Sequence, residues 1–263
     1  MVIGEVLVSR PLFLVTNDDG VLAPGLAVLA DAVAELGDVI VCAPETERSG
    51  SAHAISFHTH LRAHSVRPGW WYVTGTPVDC VYFGLMHLCE RKPTMVLSGI
   101  NVGFNLGSDV LYSGTVGAAV EAFLRGVPAM AVSADRGEHG ARWARPIVRR
   151  LVERMLGVET PMLVNVNVPV PKDRAHEGEP TDEELAAARE IVVTRLGHRR
   201  YRDAVEPRTD PMGRPYYWIG GPPEASSLDL EHDTGAIAAG LVSITPLQTD
   251  LTAPDLAPAR ALV

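Results

Sequence analysis

The chain has 263 residues, of which 46% are hydrophobic and 21% charged, the balance of a globular protein large enough for one α/β domain or a domain with an appendage. Its formal net charge of -9 repels a phosphate backbone and argues against stable nucleic-acid binding. A small phosphorylated ligand stays open, because a bound cation reverses the sign of the field locally.

In chain order, the opening stretch "MVIGEVLVSRPLFLV" has no basic n-region and no small-residue cleavage site. Arg10 and Pro11 interrupt its apolar run. Neither a signal peptide nor a membrane span is expected, and the protein reads as cytoplasmic. Leu12–Val15 is a short buried strand, broken by "NDDG" at 17–20. Pro24 suits a first helical turn. Leu26, Leu29, Ala30, Val33 and Leu36 follow at helical spacing up to Gly37. Val39–Ala43 is a second buried strand, giving a β-α-β unit with parallel strands and a right-handed crossover. The polar loop "ETERSGSAHAIS" comes next. Leu61–Gly75 reads as a hairpin. Thr76, Pro77 and Asp79 form a capped helix start, with Val78, Val81, Tyr82, Leu85 and Cys89 on its inner face. "TMVLSGI" is a strand and "NVGFNLGSDVLYSG" a Gly/Asn loop. "TVGAAVEAFLRG" is a helix, and "PAMAVSA" a strand. "ARWARPIVRRLVERML" is an amphipathic helix irregular at Pro146, and "PMLVNVNVP" a further strand.

This alternation predicts a Rossmann-like, doubly wound α/β fold with a mostly parallel sheet over residues 1–170. After Pro169 the character changes. An acidic insert near 172–190 carries a short helix capped at Thr181 and Glu184. "IVVTRLG", "PYYWIG" and "GLVSITPL" are strands without long helices between them. Residues 171–263 are therefore expected to form a β-rich extension, packed on the core or used in subunit contact. Cys42, Cys80 and Cys89 match no zinc spacing and read as buried free thiols of a reducing cytosol. His53, His58, His60 and His64 suit surface or packing roles on a hairpin. His232 is a candidate to approach a partner subunit's site.

Three polar features fall at strand carboxyl ends: "NDDG", "ETERSGS" and "SGIN". Open parallel sheets bind ligands there, at the point where strand order reverses. If the first strand and the "TMVLSGI" strand are neighbours, all three converge. Past the strand end, Asp18 and Asp19 can face one point. Two converging carboxylates repel unless one takes a proton or a cation lies between them. Hard oxygen donors suit magnesium, manganese or calcium, and Asn101 and Ser49 offer further oxygens. The alternative is that Asp18 caps the following helix and Asp19 is solvated. In the Gly/Asn loop, Asn101, Asn105 and Asp109 recur at regular intervals. Ser113, Gly114 and Thr115 then open a small-residue helix whose N-terminus is suited to phosphate. The loop is neither a Walker sequence nor a G-x-G-x-x-G.

Taken together, "VTNDDG", "APETERSGSAHAIS", "GTPVDCVYFGL", "SGINVGFNLGSDVLYSGTVGAAVEA" and "GLVSITPLQTDLT" resemble the SurE stationary-phase survival proteins from about residue 11 to 252. The resemblance implies a metal-dependent phosphatase acting on nucleoside 5′- and 3′-monophosphates, with short polyphosphate as a further substrate of some members. It implies one divalent cation, magnesium or manganese before calcium, held by Asp18, Asp19, Ser49 and Asn101. Asn105, Ser113, Gly114 and Thr115 are then the phosphate-binding set, and Asp18, Asp19 and Asn105 the catalytic one. A homodimer or homotetramer assembled through the C-terminal extension is implied too.

The expected chemistry is direct hydrolysis by an in-line water, with Asp19 favoured as proton acceptor. A covalent aspartyl-phosphate needs D-x-D at this strand end. That frame puts Asn17 in the nucleophile's place, and an amide cannot serve. Two other classes are kept beside the enzyme: a non-catalytic nucleotide-binding module, and a structural oligomer with an incidental metal.

Overall fold

The computed structural model describes residues 10–135, 137–171, 190–199, 201–202, 204–221 and 229–260. The strands β1 (Leu12–Thr16), β2 (Asp38–Pro44), β3 (Ala63–Arg67), β4 (Trp70–Val73), β5 (Met95–Val102), β6 (Ala129–Ala134), β7 (Leu163–Val168), β8 (Ile191–Val193), β9 (Ala204–Thr209), β10 (Pro215–Gly220) and β11 (Val242–Pro246) alternate with helices in the first two thirds of the chain. The helices are α1 (Pro24–Val33), α2 (Pro77–Phe83), α3 (Gly114–Leu124), α4 (Gly137–Met155), α5 (Asp233–Ala238) and α6 (Ala257–Arg260).

Nine strands form one sheet in the order β3-β4-β2-β1-β5-β6-β7-β11-β8. From β4 to β7 every neighbour is parallel. Only β3 and the β7–β11 pairing run antiparallel within this sheet. The strand order reverses between β1 and β5, whose register pairs Thr16 with Ser98. That is the switch point expected from the sequence.

Burial on both faces explains why β1 reads as a continuous apolar run. Phe13 and Val15 join the core under α1 and α4, while Leu14 points into the opposite core under α2 and α3. β5 and β6 alternate in the same way. The helix expected after Pro24 ends at Val33, where Leu36 and Gly37 N–H groups both turn back to the Val33 carbonyl. The start of α2 is the capping box read from sequence. Thr76 Oγ1 accepts from Asp79 N–H at 3.1 Å, and Asp79 Oδ2 accepts from Thr76 N–H at 2.8 Å. A π-turn at Gly84–Leu88 follows. Within α2 the buried face is Pro77, Val78, Asp79, Cys80 and Val81, so Tyr82 lies outside the expected inner face at 39% exposure and Cys80 takes an inward place. α4 runs unbroken past Pro146. Cys42 and Cys80 are buried and free; Cys89 is half-buried and also free.

In the extension, β8 and β11 join the main sheet, while β9 and β10 form a separate antiparallel hairpin. Asp210 pins the hairpin turn, accepting Met212 and Arg214 N–H at 2.8 and 2.9 Å. The helix expected near Thr181 and Glu184 lies outside the described residues. Of the histidines after the "RSG" loop, only His64 is in a strand, stacked on Tyr72 with ring centroids 5.1 Å apart. His53 pairs with Glu121 at 3.0 Å, and His58 and His60 are exposed in loop. His232 sits beside Asp229, 3.3 Å away. No helix among the described residues is long and apolar enough to cross a membrane.

Candidate active site

The three strand ends meet. Asn17 is fully buried and folds back on its own turn. Its Nδ2 donates to Gly20 O at 3.0 Å, and Gly20 N–H donates to its Oδ1 at 3.2 Å. Gly20 completes the turn at φ +100°, a backbone angle that a side chain resists. This clamp presents Asp18 and Asp19 past the end of β1. The second loop joins through Arg48 N–H, which donates to Asp18 O at 2.7 Å. The third comes near enough for the Val102 backbone to lower the Asp19 pKa, against the larger upward push of burial.

Asp18 is 4% exposed. Thr115, on the first turn of α3 and fully buried, donates its hydroxyl to Asp18 Oδ1. Burial raises the Asp18 pKa, and the Thr115 hydrogen bond opposes that rise. Asp19 is pushed up to about 6, by burial first and by the Asp18 charge second. Glu47 adds a smaller repulsion to both. Asp19 Oδ2 and Ser51 Oγ are buried without a hydrogen-bond partner among the described residues. Gly114 leaves room for this cluster: a Cβ there would sit 2.6 Å from Ser51 Oγ and 3.0 Å from Asp18 Cβ.

Ser49 and Asn101 line the same cavity as Asp18. Ser49 Oγ donates its proton to Glu47 Oε1 at 2.7 Å, which leaves its lone pairs free to accept or ligate. Asn101 Nδ2 donates to Gly103 O at 2.8 Å, which commits its nitrogen end and leaves the oxygen end as donor atom. Among the described residues no group of three or more His, Cys, Asp and Glu side chains could hold a metal. The available set is two carboxylates, an amide oxygen and a hydroxyl. A partnerless buried carboxylate oxygen beside a second carboxylate is the situation a hard cation relieves, so the residues fit one.

Asn105 is 8% exposed and closes the cavity floor. Its Nδ2 donates to Ser133 Oγ at 2.8 Å, and its N–H donates to Asn167 Oδ1 at 2.9 Å. Its carbonyl accepts from Asn165 Nδ2 and Asn167 Nδ2 at 2.8 and 3.0 Å. Ser113 is the N-cap of α3, its Oγ accepting from Val116 N–H at 3.1 Å. Ser113 opens on the cavity; the Thr115 hydroxyl is spent on Asp18 instead. The cavity, about 970 Å³, also takes Asp109, Arg199, Tyr201 and residues of the hairpin into its wall.

Sequence reading did not single out Ser51, Ser133, Asn165, Asn167, Arg199 or Tyr201. One signal was present. Two amides at alternate positions of an apolar strand, "LVNVNV", face one side of a buried sheet. That is an arrangement a protein keeps only if the amides are bonded. Arg199 and Tyr201 had no such mark.

Fold and site define a Rossmann-like α/β protein with an oxygen-donor cluster at its switch point. A family model described as "Survival protein SurE" matches residues 13–203, and the chain belongs to the SurE family. It is 46% identical over 245 residues to the "5′-nucleotidase SurE" of Nitrosococcus oceani, covering 91% of this chain and 92% of that one. It is 47% identical over 246 residues to the "5′-nucleotidase SurE" of Geobacter metallireducens, with the same coverage. The crystal structure of the SurE protein from Aquifex aeolicus superposes with a TM-score of 0.76 at 35% identity, covering 95% of this chain and 98% of that one.

Proposed function

We propose that the protein is a metal-dependent nucleotidase. It hydrolyses nucleoside 5′-monophosphates, and 3′-monophosphates beside them, to nucleoside and inorganic phosphate. Short polyphosphate is a further substrate. The observation that carries this reading is a pair of adjacent carboxylates at one strand end, the buried Asp18 and the half-buried Asp19, with the Asp19 Oδ2 atom buried and without a partner among the described residues. A scaffold has no use for two unrelieved like charges beside a cavity. Membership of the family, and relatives that carry the name 5′-nucleotidase at 46% and 47% identity, support the substrate class.

Asp18, Asp19, Ser49 and Asn101 would hold one divalent cation, magnesium or manganese before calcium. Once bound, it supplies positive charge for the phosphate oxygens and acidity for a water. The chain's own residues do the rest. Thr115 fixes the Asp18 carboxylate, and Asn17 with Gly20 fixes the turn that carries both acids. Asn105 is held through its side chain, its N–H and its carbonyl. Its second Nδ2 hydrogen is available to a phosphate oxygen without reorganisation, which is how a preorganised donor lowers a barrier. Ser113 accepts at the helix cap and still has its own proton to give. Asp19, at the edge of the cation site, accepts the proton of the attacking water. Water adds to phosphorus in line, the ester P–O bond breaks, and the leaving oxygen takes up a proton from solvent, so that the nucleoside departs as its alcohol.

The test is protein stripped with chelator and reloaded with one metal at a time. Phosphate release is measured over AMP, GMP, UMP, 3′-AMP and short polyphosphate. Release from mononucleotides only with magnesium or manganese is expected. Binding without release under every metal would replace this reading with a nucleotide-binding module. The exposed hairpin, with Trp218 at 63% and Ile219 at 90% exposure, is the surface we assign to homodimer or homotetramer contact, since patches of this kind mark interfaces. Light scattering coupled to gel filtration decides it, and a monomer refutes it.

A further inference from the structure

The cavity has a second wall that phosphate chemistry does not use. Asp18, Ser49, Asn101, Asn105 and Ser113 make its polar side. Phe104 and Tyr112 from the Gly/Asn loop, and Tyr201 from the extension, line the cavity as well. A phosphate ester gains nothing from aromatic surface, so this wall serves another part of the ligand.

The wall is built rather than incidental. Asp109 Oδ2 accepts from Arg199 Nη1 at 2.9 Å and from the Tyr201 hydroxyl at 2.6 Å. Ser108 Oγ donates to the Arg199 carbonyl at 3.0 Å. Below them Asp233, fully buried, receives Gly107 N–H and Gly197 N–H, both at 2.8 Å, and so joins the Gly/Asn loop to the extension. The Arg199 guanidinium carbon lies 5.5 Å from the Tyr201 ring centroid. The pair is partly open, with Arg199 at 23% and Asp109 at 17% side-chain exposure. An arginine has five N–H donors, and Asp109 takes one of them.

We propose that Phe104, Tyr112 and Tyr201, with the Asp109–Arg199 pair, form the base-binding half of the site, stacking on an aromatic nucleobase and bonding its edge. This rests on the nucleotidase reading and adds to it where substrate selection resides. A planar base stacks on aromatic side chains whatever its identity, and the gain is sensitive to removal of a ring. The Arg199 fork faces the acceptor atoms of the base edge. The phosphate end and the base end are then held by different parts of the chain, the core loops for one and the extension for the other.

The experiment compares nucleotides with ribose 5-phosphate, which keeps sugar and phosphate and lacks the base. In the metal-loaded wild type, kcat/KM for AMP and GMP should exceed that for ribose 5-phosphate by roughly tenfold to hundredfold. Tyr201→Ala should raise KM for the nucleotides about tenfold more than KM for ribose 5-phosphate. Tyr201→Phe, which keeps the ring, should retain most of the nucleotide preference. Saturation-transfer NMR with guanosine and adenosine reads the wall without turnover: binding is expected in the wild type and its loss in Tyr201→Ala. No preference over ribose 5-phosphate, equal losses on both substrates in a folded Tyr201→Ala protein, or no nucleoside binding would overturn the proposal. Failure of the nucleotidase reading looks different: no phosphate is released from any substrate, whether or not the nucleosides bind.

Discussion

Asp19 is the residue on which the site's electrostatics turn. Its carboxyl is raised to about 6 against an ordinary 3.8, by burial and then by Asp18. A raised carboxyl stabilises the fold below its unfolded pKa, and the benefit is lost as pH climbs through the folded one. Metal-free protein should therefore lose stability between about pH 4 and pH 6, and Asp19→Asn should reduce that loss, leaving the part that belongs to Asp18. Thermal melts of the two proteins across that range, compared as a difference, check it. For catalysis, Asp18→Asn and Asp19→Asn should each lower phosphate release by roughly 10²–10⁴-fold at constant metal concentration. Activity retained in either would remove that residue from the site. Thr115→Val keeps the volume and deletes the hydroxyl that holds Asp18. It should reduce kcat by about tenfold, while Thr115→Ser restores most of it.

At the scale of elements, the N-termini of α2 and α3 are both locked, the first for stability and the second against the site itself. Asp79 not only completes the α2 cap. Its Oδ1 accepts Ser56 N–H at 2.9 Å and its Oδ2 accepts Ser56 Oγ at 2.8 Å. Thr76 Oγ1 in turn donates to Ala54 O at 2.7 Å. The loop that carries Ser49 is thereby tied to the start of α2. Thr76→Ala should cost about 1 kcal/mol in denaturant unfolding, the usual worth of an N-cap, with kcat on nucleotides little changed. Gly114→Ala at the start of α3 has no such freedom. Its Cβ falls inside the Ser51 and Asp18 contacts, so it should destabilise by about 1–3 kcal/mol and depress turnover as well.

For the whole molecule, the sheet brings residues from distant parts of the chain to one edge and leaves a charge conflict there. Relief of that conflict by a cation is a folding term. Metal at a hundredfold excess over its Kd should stabilise the protein by about 2.7 kcal/mol, seen as a higher Tm that chelator reverses. A chelator-insensitive Tm with full activity would contradict the assigned ligands. The extension belongs to the same logic. β8 and β11 extend the core sheet, and Asp233 fastens the Gly/Asn loop to residue 197. The outer wall of the cavity is thus carried by a part of the chain that sequence alone separates from the catalytic core.

The local features were legible. Apolar runs marked β1, β2, β5, β6 and β7; Thr76, Pro77 and Asp79 marked a helix start; alternation of strands and helices marked a parallel sheet with a switch point. Each depends on neighbours within a few residues, so the sequence by itself determines it. "NDDG" was visible as a charge conflict for the same reason. What it could not show was how the conflict is arranged. Asn17 turns out to clamp the turn, and Thr115, 97 residues away, holds Asp18. Asn105 is held by Asn167 across 62 residues, and Asp109 by Arg199 across 90. Only the tertiary structure decided these partners. A side-chain hydrogen bond carries no local pattern, and its partner is chosen by which strand ends and loops the sheet order brings together.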